Sequence, residues 1–568
     1  TIPSSCTYYP VLTSSLGVGT SSYTYDCASL TINSGGSVTG TNTNFYTWLY
    51  GTLDINSGGT FHQNFNTSGR MEIRSGGKLQ VDGGTCYIGS NSGYGYSDIY
   101  LRTGGEVEVN SGTLRIDDRL YVESGATVDL NGGNTYVKYR GRGDGDHGFR
   151  LRSGATLTMD GSPNLYICGA YSTSTSYCGL YFHTSSNVTC NGGFIRFLNG
   201  TGYTHSFYVN FGGKTARYVY NDKSTNYVYT CGNMNCYQLR ANQGRFYVRN
   251  AVYASNNVYT YNAGRIYLDN ASSSLSGYSY DLNNTGGLYV SNGTCTCRYR
   301  FYKYNGAYAQ FSGGTTNIAR EYYNYGTLGN TTVNGGTLNF GTAGNYYSYN
   351  YNGKFYVTSG TVDLDYVWKQ ENGFTSNLTQ IDGGTVSVQH LQNYDGVISH
   401  SGGTLNISQY YRENDAGGGI YYGRLTAVMN LTGSSYLRLT RAGSYFNHVN
   451  VNGTYYIETG STQNFDINGN FTINLGKSFD TNGRTMYVAK NWTNSGTFTH
   501  DNNIVRFDGS TNSTISGPTI FYELEVNKTN NTYWVKPAAS TELHITNLDV
   551  SHLGTFDATN TGLNIRTP

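Results

Sequence analysis

A short unit recurs along the chain: a glycine-containing turn followed by a strand in which apolar and polar residues alternate. Copies of this unit occupy 57–61, 75–81, 103–109, 153–159, 334–338, 359–364, 382–386 and 401–405. The strongest copies recur about every 18 to 25 residues, a spacing typical of stacked repeats. Glycine at the second turn position accepts a positive φ, so the chain can bend sharply between strands. Alternate strand residues then point inward, and stacked coils pair their backbone groups and complete a core.

The sequence therefore predicts an all-β fold, a right-handed parallel β-helix (β-solenoid) in the form of an elongated rod. No window places apolar residues three and four apart among good helix formers, so we expect almost no helix. At roughly 22 residues per coil and about 4.8 Å between strands, the rod would be about 120 Å long. A meander of hairpins is the alternative for the last hundred residues, where Asn-Gly turns occur at 452–453, 468–469 and 482–483.

Three segments are expected. Residues 1–30 form an N-terminal arm or cap, and 31–416 form the parallel β-solenoid. The repeat loosens after about residue 417, so 417–568 is expected to be a β-rich region that continues the solenoid or forms a small separate β domain.

Charge and hydropathy exclude two classes of partner. Charged residues make up only 12% of the chain and the formal net charge is +1, so we expect no nucleic acid, which requires clustered Lys and Arg. No stretch approaches the roughly eighteen apolar residues of a membrane helix, so we expect no membrane span. The chain starts at Thr1 without a charged-then-apolar leader, as after removal of a signal peptide. We therefore expect an extracellular, cell-surface location.

Ten cysteines, an even number, favour disulfides in an oxidising compartment over buried free thiols. Pairs that are close in sequence supply the candidates, which are Cys6 with Cys27, Cys168 with Cys178, and Cys231 with Cys236. A zinc site is disfavoured because paired CxxC motifs and histidines at ligand spacing are lacking. We predict no metal and no cofactor.

The end of the chain carries a family resemblance. NWTNSGTF at 491–498, VRFDG at 505–509, ISGP at 515–518 and FYELEV at 521–526 resemble a repeat of large secreted prokaryotic surface proteins and adhesins of the parallel β-helix type. The resemblance covers about residues 490–528. It implies an extracellular, surface-displayed protein and carries no catalytic residues across.

Catalysis is the function that the residues favour least. Lyases and hydrolases of this fold act on polysaccharides and need paired carboxylates, or acids that hold Ca²⁺ beside a basic residue. The chain has only 35 acids, which are unpaired in sequence, so we predict that it is not an enzyme. The one dense polar cluster comprises Arg140, Arg142, Asp144, Asp146 and His147. It is a possible interaction loop for Ca²⁺ or a glycan, and the favoured alternative is a solvated, glycine-rich loop.

Tyrosine, with 57 residues, is enriched beyond what a solenoid requires. At i, i+2 spacing one set of rings faces outward, and equivalent positions on adjacent coils would stack as aromatic ladders. A possible aromatic interface therefore comprises Tyr299, Tyr302, Tyr304, Tyr347, Tyr349 and Tyr351. The alternative is that these tyrosines merely fill wide coils.

Asn-x-Ser/Thr sequons indicate a glycosylated surface if the host glycosylates, although a chain this rich in Asn, Ser and Thr forms nearly as many by chance. Possible sites are Asn66, Asn187, Asn270, Asn330, Asn377, Asn406, Asn430, Asn470, Asn491 and Asn527.

These observations favour a non-enzymatic extracellular structural protein, a filament, sheath or matrix subunit that associates with copies of itself. A monomeric adhesin stalk that binds cell-surface glycans is the second hypothesis, and a polysaccharide lyase or hydrolase is the third. Copies would join head to tail, with residues 1–25 of one subunit paired to the coils at about 543–565 of the next, because open strand edges template an incoming strand. A cap closed by Cys6 and Cys27 is the alternative for the N-terminal segment.

Overall fold

A computed structural model describes residues 11–12, 15–18, 25–27, 29–90, 96–138, 147–168, 178–199, 206–225, 227–370, 378–394, 396–413 and 422–559. The regular elements of these ranges are β-strands without a helix, and the strands pair in parallel from coil to coil. The predicted all-β parallel β-solenoid is therefore confirmed. These ranges contain no helix long and apolar enough to cross a membrane.

The chain divides into two compact units, one of residues 1–289 with 293–295 and the other of 290–292 with 296–568. Strands of the first unit are β1 (Val11–Leu12), β2 (Ser15–Val18), β3 (Tyr25–Cys27), β4 (Leu30–Ile32), β5 (Ser37–Leu49), β6 (Thr52–Asn56), β7 (Thr60–Ile73), β8 (Lys78–Ser90), β9 (Tyr96–Leu101), β10 (Glu106–Ile116), β11 (Leu120–Val122), β12 (Thr127–Leu130), β13 (Asn134–Lys138), β14 (Phe149–Leu151), β15 (Thr156–Met159), β16 (Asn164–Cys168), β17 (Cys178–Phe182), β18 (Asn187–Cys190), β19 (Phe194–Leu198), β20 (Phe207–Asn210), β21 (Thr215–Asn221), β22 (Tyr227–Thr230), β23 (Met234–Ala241), β24 (Arg245–Val248), β25 (Ala251–Ala254), β26 (Val258–Thr260), β27 (Arg265–Leu268), β28 (Ser274–Gly277) and β29 (Tyr280–Leu282). The division falls within β30 (Gly287–Val290) and β31 (Thr294–Cys297).

Strands of the second unit are β32 (Phe301–Lys303), β33 (Tyr308–Phe311), β34 (Thr315–Ile318), β35 (Tyr322–Tyr325), β36 (Asn330–Phe340), β37 (Tyr347–Tyr351), β38 (Lys354–Asp363), β39 (Val367–Gln370), β40 (Leu378–Ile381), β41 (Thr385–Val388), β42 (His390–Asn393), β43 (Val397–His400), β44 (Thr404–Ile407), β45 (Tyr411–Glu413), β46 (Tyr422–Leu431), β47 (Ser434–Arg438), β48 (Tyr445–Val451), β49 (Thr454–Ile457), β50 (Phe465–Ile467), β51 (Phe471–Ile473), β52 (Ser478–Asp480), β53 (Met486–Val488), β54 (Trp492–Asn494), β55 (Thr497–Thr499), β56 (Ile504–Phe507), β57 (Ser513–Ser516), β58 (Thr519–Val526), β59 (Trp534–Pro537), β60 (Leu543–Asp549) and β61 (Thr555–Phe556).

Because inward and outward residues alternate along each strand, apolar side chains of successive coils lie above one another in columns. Val107 of β10 pairs with Val128 of β12, which pairs with Leu157 of β15, and all three side chains are fully buried. Burial of each such side chain contributes about 1.5–3 kcal/mol relative to exposure. Because each coil offers only a few inward positions, the core is narrow and runs through every coil.

The two glycines of the repeat are required for different physical reasons. At 57–60, Gly58 has a φ of +75°, as the sequence predicts for the turn. The next residue, Gly59, is required for space, since a Cβ there would lie 2.4 Å from the carbonyl oxygen of Ile32 on the preceding coil. Turns therefore stack on turns, with backbone against backbone.

The two ends of the chain follow the same parallel pairing. β1 pairs with β4, and β2 and β3 pair with β5 of the same chain. Near the C-terminus, β48 and β49 flank the Asn-Gly turn at 452–453 yet pair with β46 and β47. The hairpin alternative for the last hundred residues is therefore wrong, because these turns are corners of parallel coils.

Candidate functional site

The second unit carries an outward patch of six half-buried tyrosines, which we term the tyrosine array: Tyr302, Tyr304, Tyr323, Tyr325, Tyr349 and Tyr351. It forms on three successive coils because β32, β35 and β37 pair in register. Tyr302 lies opposite Tyr323, and Tyr323 lies opposite Tyr349. Alternation within each strand then places a second ring two residues further along.

Ring stacking in the array is nearly parallel. The ring centroids of Tyr302 and Tyr323 are 4.8 Å apart at 9°, and those of Tyr323 and Tyr349 are 5.2 Å apart at 9°. In the second column, Tyr325 stacks on Tyr304 at 5.6 Å and on Tyr351 at 5.0 Å. The faces of the middle rings are therefore covered by neighbouring rings, and the array presents ring edges and hydroxyl groups outward.

Two of the six predicted interface tyrosines lie outside the array. Tyr347 borders it, 6.0 Å from Tyr349 and 40% exposed. Tyr299 instead lies between two guanidinium groups, those of Arg320 at 4.7 Å and Arg300 at 4.8 Å from its ring. The sequence argument missed the middle row, Tyr323 and Tyr325, although their i, i+2 spacing is the same signal.

Lys303 lies beneath the array, between two of its tyrosines in sequence but on the inward face of β32. Its side chain is fully buried, and Nζ donates to the carbonyl oxygen of Gly329 at 2.8 Å. Burial lowers the pKa of Lys303 from its ordinary value of 10.5 to about 8. The folded protein therefore carries the cost of a buried cation at neutral pH.

Lys303→Met is expected to raise the free energy of unfolding at pH 7 by up to about 3 kcal/mol, since the pKa shift spans more than two units. Above pH 8 the folded state releases this proton before the unfolded state does, so wild-type stability rises between pH 8 and about 10. The stability advantage of Lys303→Met over wild type should therefore shrink between pH 8 and about 10. Denaturant midpoints at pH 7 and 9.5 measure the effect, with Lys354→Met as the control. If the free energy of unfolding changed equally with pH in wild type and in Lys303→Met, the prediction would be contradicted.

The first unit carries tyrosine ladders of its own. One ladder contains five rings from successive coils with centroid separations of 5.2, 4.8, 4.8 and 4.7 Å: Tyr208, Tyr229, Tyr247, Tyr267 and Tyr289. A second column, linked from strand to strand by register, interleaves rings with guanidinium groups: Tyr87, Arg115, Tyr136, Tyr166, Arg196, Tyr220, Arg240 and Tyr259. Cation–π contacts join its members, as in Arg115 at 4.9 Å from the Tyr87 ring.

A groove of about 600 Å³ opens on the first unit beside the start of the five-ring ladder. It lies beside a register irregularity between Cys178 and Leu180, where β17 pairs with β20. Neutral polar groups and one cation dominate the lining, which includes Tyr208, Asn210, Thr230, Arg249 and Asn270. Such a surface can hydrogen-bond a polyhydroxyl ligand.

His147 forms one wall of this groove. Its ring stacks on Tyr181 at 4.3 Å and 8°, and its Nδ1 accepts a hydrogen bond from the Cys178 N–H at 2.9 Å. Burial, with a smaller effect of Arg150, lowers the pKa of His147 to about 4. The imidazole is therefore neutral at physiological pH. The other members of the predicted interaction loop, Arg140, Arg142, Asp144 and Asp146, lie outside the described residues.

The structure does not join the cysteines that are close in sequence. Cys168, Cys178, Cys231 and Cys236 are thiols in this structure, and the pairs of Cys168 with Cys178 and of Cys231 with Cys236 stay predictions. Instead, Cys178 Sγ lies 3.1 Å from Cys231 Sγ, because the stacking of coils decides which side chains meet. Cys6, and the side chain of Cys27, lie outside the described part of the chain.

Asparagine amides account for part of the sequon count by forming ladders between coils. Asn450 donates to Asn430 at 3.0 Å, and Asn430 donates to Asn406 at 2.9 Å. The Asn406 amide nitrogen in turn donates to Ser387 Oγ at 3.3 Å, so the amide nitrogens of the sequons at Asn406 and Asn430 are both hydrogen-bonded to neighbouring coils. Three further sequon asparagines are exposed: Asn187, Asn270 and Asn491. Another three are half-buried: Asn330, Asn470 and Asn527. The Asn66 side chain and Asn377 lie outside the described residues.

Several buried carboxylates are held by arginine. Glu72 accepts from Arg74 and Arg102, both at 2.8 Å, and Asp98 pairs with Arg119 at 2.9 Å. Hydrogen bonds and charge from the arginines hold the pKa of Glu72 below its usual range, against the opposing effect of burial. These carboxylates are engaged as structural ion pairs.

Three potential metal-ligating groups come together near the C-terminus. Ligand atoms of Glu525, Asp549 and His552 lie within 4.8 Å of one another. Arg506 Nε already contacts Glu525 at 2.6 Å, and His552 Nε2 lies 3.2 Å from the same carboxylate. The Arg506 guanidinium thus already compensates the charge of Glu525, as in the other arginine–carboxylate pairs.

The fold and its surface define a parallel β-solenoid whose outer faces carry stacked tyrosines. Comparison with protein families, with curated proteins and with solved structures gives no match for this chain.

Proposed function

We propose that this protein is a non-enzymatic extracellular structural protein, a filament, sheath or matrix subunit at the cell surface that associates with copies of itself. The observation that supports the proposal is the tyrosine array of the second unit. Six half-buried, stacked rings form a regular surface, and tyrosine is enriched at protein interfaces and at their energetic hot spots.

The orientation of the rings favours a protein partner over a glycan. Sugars stack on the faces of aromatic rings, and the faces of Tyr323 and Tyr325 are covered by neighbours on both sides. Edges and hydroxyls remain, and these suit hydrogen bonding and edge-to-face packing. A second copy offers the same row spacing, so its hydroxyls match row for row in a self-complementary contact.

Other features of the chain fit this role. The coils are built mainly from glycine, serine, threonine, asparagine and tyrosine, and residues 490–528 resemble secreted surface proteins. The buried carboxylates described above are engaged by arginine, which supports a non-catalytic protein. A head-to-tail contact between the N-terminal segment and the last coils is the second route by which copies could join.

The double variant Tyr323→Thr/Tyr325→Thr tests the array. Threonine keeps β propensity while the middle row of rings is lost. Since an interface hot spot contributes about 2 kcal/mol, we expect self-association to weaken at least about thirtyfold. Analytical ultracentrifugation and negative-stain electron microscopy measure assembly, and circular dichroism checks that the β content is intact. The control Tyr456→Thr/Tyr522→Thr removes two exposed tyrosines of the same unit and should assemble as the wild type does.

Three outcomes separate the alternatives. Unchanged assembly of the array variant would overturn the role of the array. Loss of assembly only after deletion of residues 1–25 would indicate the head-to-tail contact instead. Dispersed wild-type protein that co-sediments with an insoluble polysaccharide would support the glycan-binding stalk.

A further inference from the structure

Two cysteine thiols from non-adjacent coils meet in the wall of the groove on the first unit. Cys178 is the first residue of β17 and Cys231 directly follows β22. β17 pairs with β20, and β20 pairs with β22, so one coil lies between the coils of the two cysteines. Their Sγ atoms are nevertheless 3.1 Å apart, although 53 residues separate them in sequence.

Backbone contacts fix both cysteines in place. The Cys178 N–H donates to His147 Nδ1 at 2.9 Å, and its carbonyl oxygen accepts from the N–H of Gly148 at 2.9 Å. The Cys231 N–H donates to the carbonyl oxygen of Val209 at 2.9 Å. To reach the disulfide bond length of about 2.05 Å, the sulfur atoms must approach by about 1 Å. The coils that carry them must also draw together locally, because two coil spacings of about 4.8 Å exceed the usual Cα separation of about 4.4–6.8 Å in a disulfide.

We propose that Cys178 and Cys231 form a disulfide that ties two coils of the first unit together across the intervening coil. Both cysteines line the groove, and the half-buried Cys231 is the thiol that a low-molecular-weight oxidant such as oxidised glutathione would meet.

The two thiols have different roles in the exchange. Cys231 is half-buried, whereas Cys178 is 1% exposed, and the hydrogen bond from Cys178 lowers the pKa of the Cys231 thiol. The Cys231 thiolate attacks one sulfur of oxidised glutathione, which forms a mixed disulfide and expels one glutathione thiolate. Cys178, after loss of its proton, attacks the Cys231 sulfur and expels the second glutathione. The two protein thiol protons end on the two glutathione molecules, so two thiols are oxidised and one disulfide is reduced.

Peptide mapping of the full-length wild-type protein tests the pairing. The protein is incubated with oxidised glutathione, its remaining thiols are alkylated, and it is digested without reduction. We expect one cross-linked pair of peptides that contains Cys178 and Cys231, with a mass loss of about 2 Da for the two hydrogens removed. A map that joins Cys168 to Cys178 or Cys231 to Cys236, or one in which both cysteines are alkylated, would overturn the proposal.

Variants add a second measurement. In Cys178→Ser, Cys231 should remain as the mixed disulfide with glutathione, because the thiol that would resolve it has been removed. Cys190→Ser is the matched control and should retain the cross-link. Reduction should lower the denaturant midpoint of oxidised wild-type protein and leave that of Cys231→Ser unchanged. Equal shifts in both proteins would show that this pair carries no cross-link, whether or not the protein self-associates through its tyrosine array.

Discussion

Gly433→Ala is expected to lower the free energy of unfolding by about 3 kcal/mol, the upper end of the range for overpacking a tight site. A Cβ at this position would lie 1.6 Å from the carbonyl oxygen of Ser408 on the preceding coil. The obstacle is backbone, which no side-chain rotation can relieve. Gly453 of the following coil lies equally close to Gly433, since its own Cβ would lie 1.6 Å from the Gly433 carbonyl oxygen, so the disturbance should reach two coil contacts.

Chemical denaturation followed by circular dichroism measures this effect, and Gly476→Ala is the control. Gly476 has a φ of +70° but no atom within 4 Å of its Cβ position, so alanine there should cost only the left-handed strain of about 1 kcal/mol. If Gly476→Ala destabilised the protein as much as Gly433→Ala, backbone conformation would outweigh close approach as the reason for glycine in these turns.

Trp368→Ala is expected to cost about 3–5 kcal/mol, the usual range for truncating a large buried aromatic side chain. Trp368 is fully buried and packs on Phe355 with ring centroids 4.8 Å apart, and on Tyr322 at 6.2 Å. Its Nε1 donates to Thr379 Oγ1 at 3.1 Å. Truncation therefore leaves a cavity in the core of one coil and removes one donor from a buried hydrogen bond.

The control for this core variant is Leu475→Ala, at a position that is 82% exposed and should stay within about 0.5 kcal/mol of wild type. Denaturant midpoints of the three proteins give the comparison. Trp368→Phe should be intermediate, because most of the ring volume remains while the N–H donor is lost. A Trp368→Ala protein within about 1 kcal/mol of wild type would mean that neighbouring coils collapse into the cavity.

The direction of side chains could be predicted from sequence because it is a local property of a strand. Successive strand residues point to opposite faces, so the spacing of Tyr302 and Tyr304 places both rings on one face, with the buried Lys303 on the other. The same logic predicted the inward column that contains Val107. Local turn chemistry also predicted the positive φ of Gly58.

The sequence by itself thus determined the fold class, the alternation of inward and outward residues, and the outward tyrosines. Only the tertiary structure decided which residues meet between coils, because coil length varies. Register partners are 19 residues apart for Ser387 and Asn406, but 30 apart for Asn134 and Asn164. A short repeat motif does not encode these lengths. The middle row of the tyrosine array, the contact of Cys178 with Cys231 and the backbone that crowds Gly433 therefore follow from stacking, and stacking is set by every coil that precedes them.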